Sequence, residues 1–501
     1  MNMPYLLRWL LASCITSLLL IGCGGSSGGN PAPPPTPTAP PPAPPPPPPP
    51  ARLTDPIESA IEVGSIAVDA VQFVQGPATQ DRVSGGGVNN PATRIQYLQQ
   101  VGDRFFFNDT RGVLWITDVE GSEPVSYLDL RIQNVGFNPD RFVQESGFMG
   151  FAFHPDFANE NEQGFGKFYT SFSASPDGTA DFIEEGASVQ ESVLAEWSVE
   201  DPTSDVFSGE FREVLRVGQF AANHNVGNVA FNPTSSVDDP DYGMLYVSFG
   251  DGGSAHDPRQ HGQNPNSILG TIIRIDPLGG DEDAKYGIPA DNPFADGADG
   301  LPEVWAYGLR HPQSYSWDSA DGRMFILDIG QDQIEEVNIG VAGGNYGWRL
   351  REGTFATAFG VDTNDGPGSV YERETDTSDL IYPVAQYDHD EGFAIGSGIV
   401  YRGSAIPDLV GMFVFTDIVT GRLFYIDTAS LEPDAPTTIF ELDVTVDGDT
   451  GTLADIAGHR NTSPGHAPYT QRVDLRISTD AEGELYILSK GDGWIRKLTA
   501  R

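Results

Sequence analysis

Two residues at the ends of apolar runs have the chemistry to move a proton. His224 stands in Ala222-Asn-His-Asn-Val-Gly, at the mouth of one run, and Asp251 stands in Phe249-Gly-Asp-Gly-Gly, just after the run Met244–Phe249. An imidazole with an ordinary pKa of about 6.5 accepts a proton near neutral pH. The runs are short and β-rich, so they read as buried strands, and strand ends are where loops present side chains to solvent. The stretch Ala222–Ser254 therefore predicts a strand, an acidic loop, a second strand and a glycine turn, with the polar residues at the strand ends.

The elements that must position these residues repeat. A strand, a polar turn and a strand of the form Leu/Met/Phe-Tyr/Phe-Val/Ile also occur at Phe105–Asp118 and at Phe151–Phe157 with Lys167–Phe172. They recur at Tyr315–Gly330, at Ile399–Gly403 with Met412–Asp417, and at Leu475–Leu488. Helical periodicity is scarce from Ile57 onward. Repeated two-strand units, none able to bury both faces alone, predict an all-β chain. With the opening stretch the count is six, so the expected fold is a six-bladed β-propeller with long inter-blade loops. The stretches 173–187 and 353–379 exceed ordinary connections and are expected to cover one face.

The N-terminus is of another kind. Met1–Gly22 carries Arg8, a mostly apolar stretch from Trp9 to Ile21 and no acid, and it ends Leu20-Ile21-Gly22-Cys23. It reads as a secretory signal, and its end resembles the bacterial lipobox, which implies acylation of Cys23. Gly/Ser-rich and proline-rich segments follow to Ala51. At about 3.1 Å per residue, Pro31–Pro50 as polyproline II is a spacer of roughly 60 Å. The expected organisation is a lipoprotein signal peptide at 1–22, a tether at 23–51 and the propeller at 52–501. Such a protein is exported, held on a lipid bilayer by its acyl anchor, and faces the periplasm or exterior. Cys14 leaves with the signal and Cys23 is acylated, so the propeller holds no disulfide. The formal net charge of −43 sets the surface against nucleic acid and anionic headgroups.

Further polar motifs keep a fixed order: Glu145–Phe157, His224-Asn-Val-Gly, Phe249–Gly253, Asn266–Asp276, Glu303–Gln313, Asp328–Ile339, Gly343–Trp348, Tyr387–Gly392 and Ser397–Gly403. Together, from about Gly64 to the end, they resemble the glucose/sorbosone dehydrogenase family. Its members are six-bladed propellers that use pyrroloquinoline quinone (PQQ) and Ca2+ to oxidise an aldose at C1 to the lactone. The resemblance implies that His224 is the catalytic base and that Arg310 sits beside the quinone carbonyl. It implies Glu145, Asp251, Arg310, His311, Tyr387, Arg422 and Arg472 as cofactor-pocket residues. Gly330 and Gln331 would hold calcium through backbone carbonyls, and Glu335 and Glu336 resemble a structural-calcium pair. The partners implied are a small-molecule sugar and a downstream electron acceptor. The chain also departs from the family pattern. Val419 falls where a lysine is usual, Arg422 being the nearest cation; Arg472 aligns with one of two cofactor-binding arginines and Asp474 replaces the other; His311 replaces an asparagine. Two other functions fit the same residues. One is a non-catalytic propeller that binds glycans or proteins. The other is a calcium-dependent propeller lactonase or esterase with His224 as proton shuttle, which needs several carboxylate side chains converging on one metal.

Overall fold

A computed structural model describes residues 50–79, 91–139, 145–183, 188–280, 284–361, 368–372, 379–433, 435–450, 453–454 and 473–501. The proposed signal, Cys23, all but the end of the tether, and Arg472 lie outside them.

All six predicted hairpins form, each as a neighbouring antiparallel pair. These pairs are Arg104–Asp109 with Val113–Asp118, Phe148–Phe153 with Lys167–Ala174, and Val226–Phe231 with Leu245–Phe249. They continue with Ser314–Trp317 and Met324–Asp328, Ile395–Val400 and Met412–Asp417, and Leu475–Thr479 and Leu485–Ser489. Four of the hairpins lie in separate four-stranded sheets, and the other two in one nine-stranded sheet. The fold is all-β and propeller-like.

Most of the hairpin strands are buried on both faces because sheets pack on sheets. Phe106, Leu114 and Ile116 of one sheet share a core with Phe151, Phe153, Phe168 and Trp197 of the next. The Phe106 and Phe153 rings lie 4.5 Å apart between centroids. Such strands read as continuous apolar runs rather than as strict alternation. Six strands, Ile95–Val101, Phe148–Phe153, Val226–Phe231, Ser314–Trp317, Ile395–Val400 and Leu475–Thr479, together line a cavity of about 640 Å³.

Two features were not foreseen. The strand Glu62–Gln75 pairs antiparallel with Trp494–Ala500 and parallel with Phe440–Val446, and so joins the sheets of the last two hairpins. The long stretch after Gly353 contributes to a small three-stranded sheet of its own, Arg351–Glu352, Phe355–Thr357 and Val370–Tyr371, and Arg52 bridges to Tyr371.

Candidate active site

His224 precedes the strand Val226–Phe231 with φ +53°, a left-handed backbone that non-glycine residues rarely adopt and that recurs at functional sites. Its N–H donates to Glu145 Oε2 at 2.8 Å, which ties this turn to the loop before Phe148. Its ring is 2.6 Å from Asp251, Nδ1 to Oδ1. A carboxylate only accepts, so Nδ1 carries the proton and Nε2 holds the lone pair. Asp251 Oδ2 accepts from Trp348 Nε1 at 2.8 Å, and Asp251 Oδ1 from the Gly253 N–H at 3.0 Å. Burial alone would raise the Asp251 carboxyl, but the hydrogen-bonded His224 ring, the Arg310 charge and the Gly253 N–H hold it below its ordinary value. Gly250 makes room for the approach, because a Cβ there would lie 2.7 Å from that of His224 and 2.6 Å from His311 Nδ1.

Arg310 reaches the free face of His224. Its Nη2 donates to His224 Nε2 at 3.0 Å, its Nη1 to the Ile329 carbonyl at 2.8 Å, and its Nε to Gln331 Oε1 at 3.3 Å. His311 stacks on His224, with centroids 4.8 Å apart and planes 19° from parallel. Its Nε2 is 3.3 Å from Glu145 Oε2 and 2.8 Å from Gln313 Nε2. Burial lowers the pKa of His311, against the pull of Glu145. The same pair works in reverse on Glu145: burial raises its carboxyl, and His311 and His224 together draw it well below the carboxylate range.

These residues open onto a cavity of about 220 Å³ whose walls also include Gly330, Gln331, Phe393, Val419, Asp474, Arg476 and Lys490. The structure thus brings together His224, Arg310, His311, Glu145, Gly330 and Gln331, with Asp251 directly behind His224. Two expected cofactor residues are corrected. Tyr387 alternates into the core, fully buried against Phe424 with its hydroxyl on Asp417, and does not line the cavity. The exposed ring of Phe393 lines it instead. Arg422 is bound between Glu391 and Glu441 over the Phe424 ring and is also outside the wall.

Arg476 and Lys490 were missed by sequence reasoning, though Arg476 lies in a predicted strand and Lys490 just after another. Both are buried; Arg476 donates to Gln313 Oε1 at 2.7 Å and Lys490 to Gln96 Oε1 at 3.0 Å. Arg476 sits two residues after Asp474, inside the strand Leu475–Thr479, and supplies a cation to the same cavity wall.

Glu335 and Glu336 point to opposite faces of their strand. Glu335 accepts from His389 Nε2, the Ile395 N–H and the Gly330 N–H; Glu336 accepts from the Gly353 N–H and from Asn338. Among the described residues no three His, Cys, Asp or Glu side chains converge as a metal site. Glu336 is paired across the sheet with Asp328, whose oxygens accept from the Arg310 and His311 N–H groups. Burial pushes Asp328 up to about 7; burial and the Asp328 charge push Glu336 up to about 8. In the unfolded chain both carboxyls titrate near pH 4. Between there and about pH 8 the folded protein holds more protons than the unfolded chain, so stability is greatest at the acid end of this window and falls as pH rises. In calcium-free buffer the calorimetric Tm is expected to drop by roughly 2 °C or more from pH 6 to pH 9. Glu336→Gln is expected to flatten that slope; an unchanged slope would refute the assignment.

The family description Glucose / Sorbosone dehydrogenase matches residues 91–445. HIPL1 protein of Arabidopsis thaliana is 28% identical over 411 residues, which cover 72% of this chain and 56% of that protein. Hedgehog-interacting protein of Homo sapiens is 27% identical over 217 residues, 42% of this chain and 27% of that protein. The chain thus matches about half of the first relative's length and less of the second's. Among solved structures, the PQQ-bound aldose sugar dehydrogenase of Streptomyces coelicolor superposes with a TM-score of 0.55 at 19% identity, covering 88% of this chain and 100% of that one. With a family match over most of its length and that shared fold, the chain belongs to the glucose/sorbosone dehydrogenase family.

Proposed function

We propose that the protein is a quinoprotein that oxidises the C1 hydroxyl of an aldose to the lactone, built as a six-bladed propeller. The observation that carries this reading is His224 Nε2, a lone pair facing a cavity, with Asp251 fixing the opposite nitrogen and Arg310 alongside. Oxidising a hemiacetal removes a proton from oxygen and a hydride from carbon. His224 Nε2 takes the proton once the sugar hydroxyl displaces the Arg310 N–H from it, and Asp251 stabilises the imidazolium that forms. No side chain accepts hydride; bound PQQ would supply that acceptor. Arg310 is placed to stabilise negative charge that develops in the cavity.

The donor set fits this cofactor. A tricarboxylate in a protein of net charge −43 needs local cations, and the cavity offers Arg310, Arg476 and Lys490 against Glu145 and Asp474. Calcium prefers oxygen ligands, and the walls include Gly330 and Gln331, whose carbonyls suit it. The lipid-anchored, exported setting belongs to the same proposal, with Cys23 as the acylated residue and an electron acceptor outside the membrane.

The test is dye reduction by residues 52–501 with a panel of aldoses. Activity is expected only with PQQ and Ca2+ both added. A second reading, a propeller that binds a protein partner, draws on the similarity to Hedgehog-interacting protein and on the withdrawal of Arg422 from the cavity. It takes precedence if calorimetry detects no quinone binding at micromolar concentration.

A further inference from the structure

One carboxylate oxygen organises the turn that borders the cavity. Glu352 Oε1 accepts four consecutive backbone N–H groups, from Gln331 at 2.8 Å, Asp332 at 2.9 Å, Gln333 at 2.8 Å and Ile334 at 3.0 Å. Glu352 itself is buried and belongs to the small sheet, on the strand pair Arg351–Glu352 and Phe355–Thr357. A trans peptide unit is planar, with its C=O opposed to the N–H of the next residue. The Gln331 and Asp332 N–H groups point at Glu352, so the Gly330 and Gln331 carbonyls point away from it. Gly330 and Gln331 line the cavity, and Glu352 does not. The turn admits no other residue at Gly330, where a Cβ would meet the Ile334 carbonyl oxygen at 1.7 Å. The Gln331 side chain is held as well, its Oε1 accepting from Arg310 Nε at 3.3 Å and from the His256 N–H at 3.1 Å.

We propose that Glu352 is a positioning residue for cation binding: by gathering four N–H groups on one oxygen, it presents the Gly330 and Gln331 carbonyls to the cavity as a preformed partial shell for a divalent cation. The inference rests on the quinoprotein reading for the identity of that cation as Ca2+ and for the donors that complete its shell. Glu352 touches neither the cation nor the cavity. Its negative charge offsets the four converging N–H dipoles, and no neutral side chain of its size does this equally well. Preorganised ligands bind more tightly because the ordering is already done before the ion arrives.

The experiment is calorimetric titration of Ca2+ into residues 52–501 at saturating PQQ, for the parent chain, Glu352→Gln and Glu352→Asp. Hydrogen-exchange mass spectrometry of the peptide spanning 330–335 accompanies it. Both variants are expected to bind Ca2+ at least 10-fold more weakly, Glu352→Gln the more so, and to lose amide protection locally at 331–334. Glu352→Asp keeps the charge on a shorter arm, so it serves if Glu352→Gln fails to fold. Unchanged Ca2+ affinity in folded variants overturns the role of Glu352 and leaves the quinoprotein reading standing. If the parent chain binds neither PQQ nor Ca2+, the quinoprotein reading fails, and the cation role of Glu352 falls with it whatever the exchange data show.

Discussion

His224→Gln is expected to lower aldose-dependent dye reduction by about 10³-fold in kcat, within the range that a positioned base contributes. Glutamine keeps a donor and an acceptor at the ring's position, so Asp251 and Arg310 both retain partners and the fold is preserved. What it removes is the basic lone pair at Nε2, which faces Arg310 at 3.0 Å and the cavity beyond. The loss should fall on kcat with quinone affinity little changed, because His224 acts on the sugar's proton. Comparable activity in the variant would refute His224 as the base. Asp251→Asn gives a graded version: Nδ1 loses its carboxylate, and the tautomer that points the lone pair at the cavity is no longer enforced.

The other large effect concerns the cofactor's carboxylates. Arg476→Gln with Lys490→Met is expected to weaken PQQ binding by about 100-fold or more, since hydrogen bonds to charged groups contribute roughly 1.5–3 kcal/mol each. Arg422→Gln is expected to leave quinone affinity unchanged, because its guanidinium is held by Glu391 and Glu441 outside the cavity. Quenching of tryptophan fluorescence by the quinone reads the affinity without any turnover. The reverse ranking, with Arg422 decisive and Arg476 and Lys490 silent, would return the cation set to the one that alignment alone suggests.

The sequence made the strand pairs legible because each hairpin carries its own local signal, two apolar runs around a turn. His224 and Asp251 were legible for the same reason, as polar residues at the ends of those runs, whereas Arg310 was marked only by the resemblance of Glu303–Gln313 to the family motif. Tyr387 misled because the family resemblance places an aromatic pocket wall there, while strand alternation sends its ring into the core. Arg476 and Lys490 were passed over since their roles arise only when the strand Leu475–Thr479 meets the loops of other sheets across the cavity. Glu352 left no local signal at all. Its four partners lie 18 to 21 residues away along the chain, and only the folded turn gathers them.

The strand Glu62–Gln75 has a consequence for how the molecule is born. Its antiparallel partner is Trp494–Ala500, and Thr499 reaches Asp69 across 430 residues of chain. A contact of such separation cannot form until the last strand has left the ribosome. The earliest of these strands to be synthesised must therefore wait, its edge unpaired, while every intervening sheet is made. Until that partner is made, the unpaired edge is open to chaperones, to proteases and to mispairing with copies of the same chain.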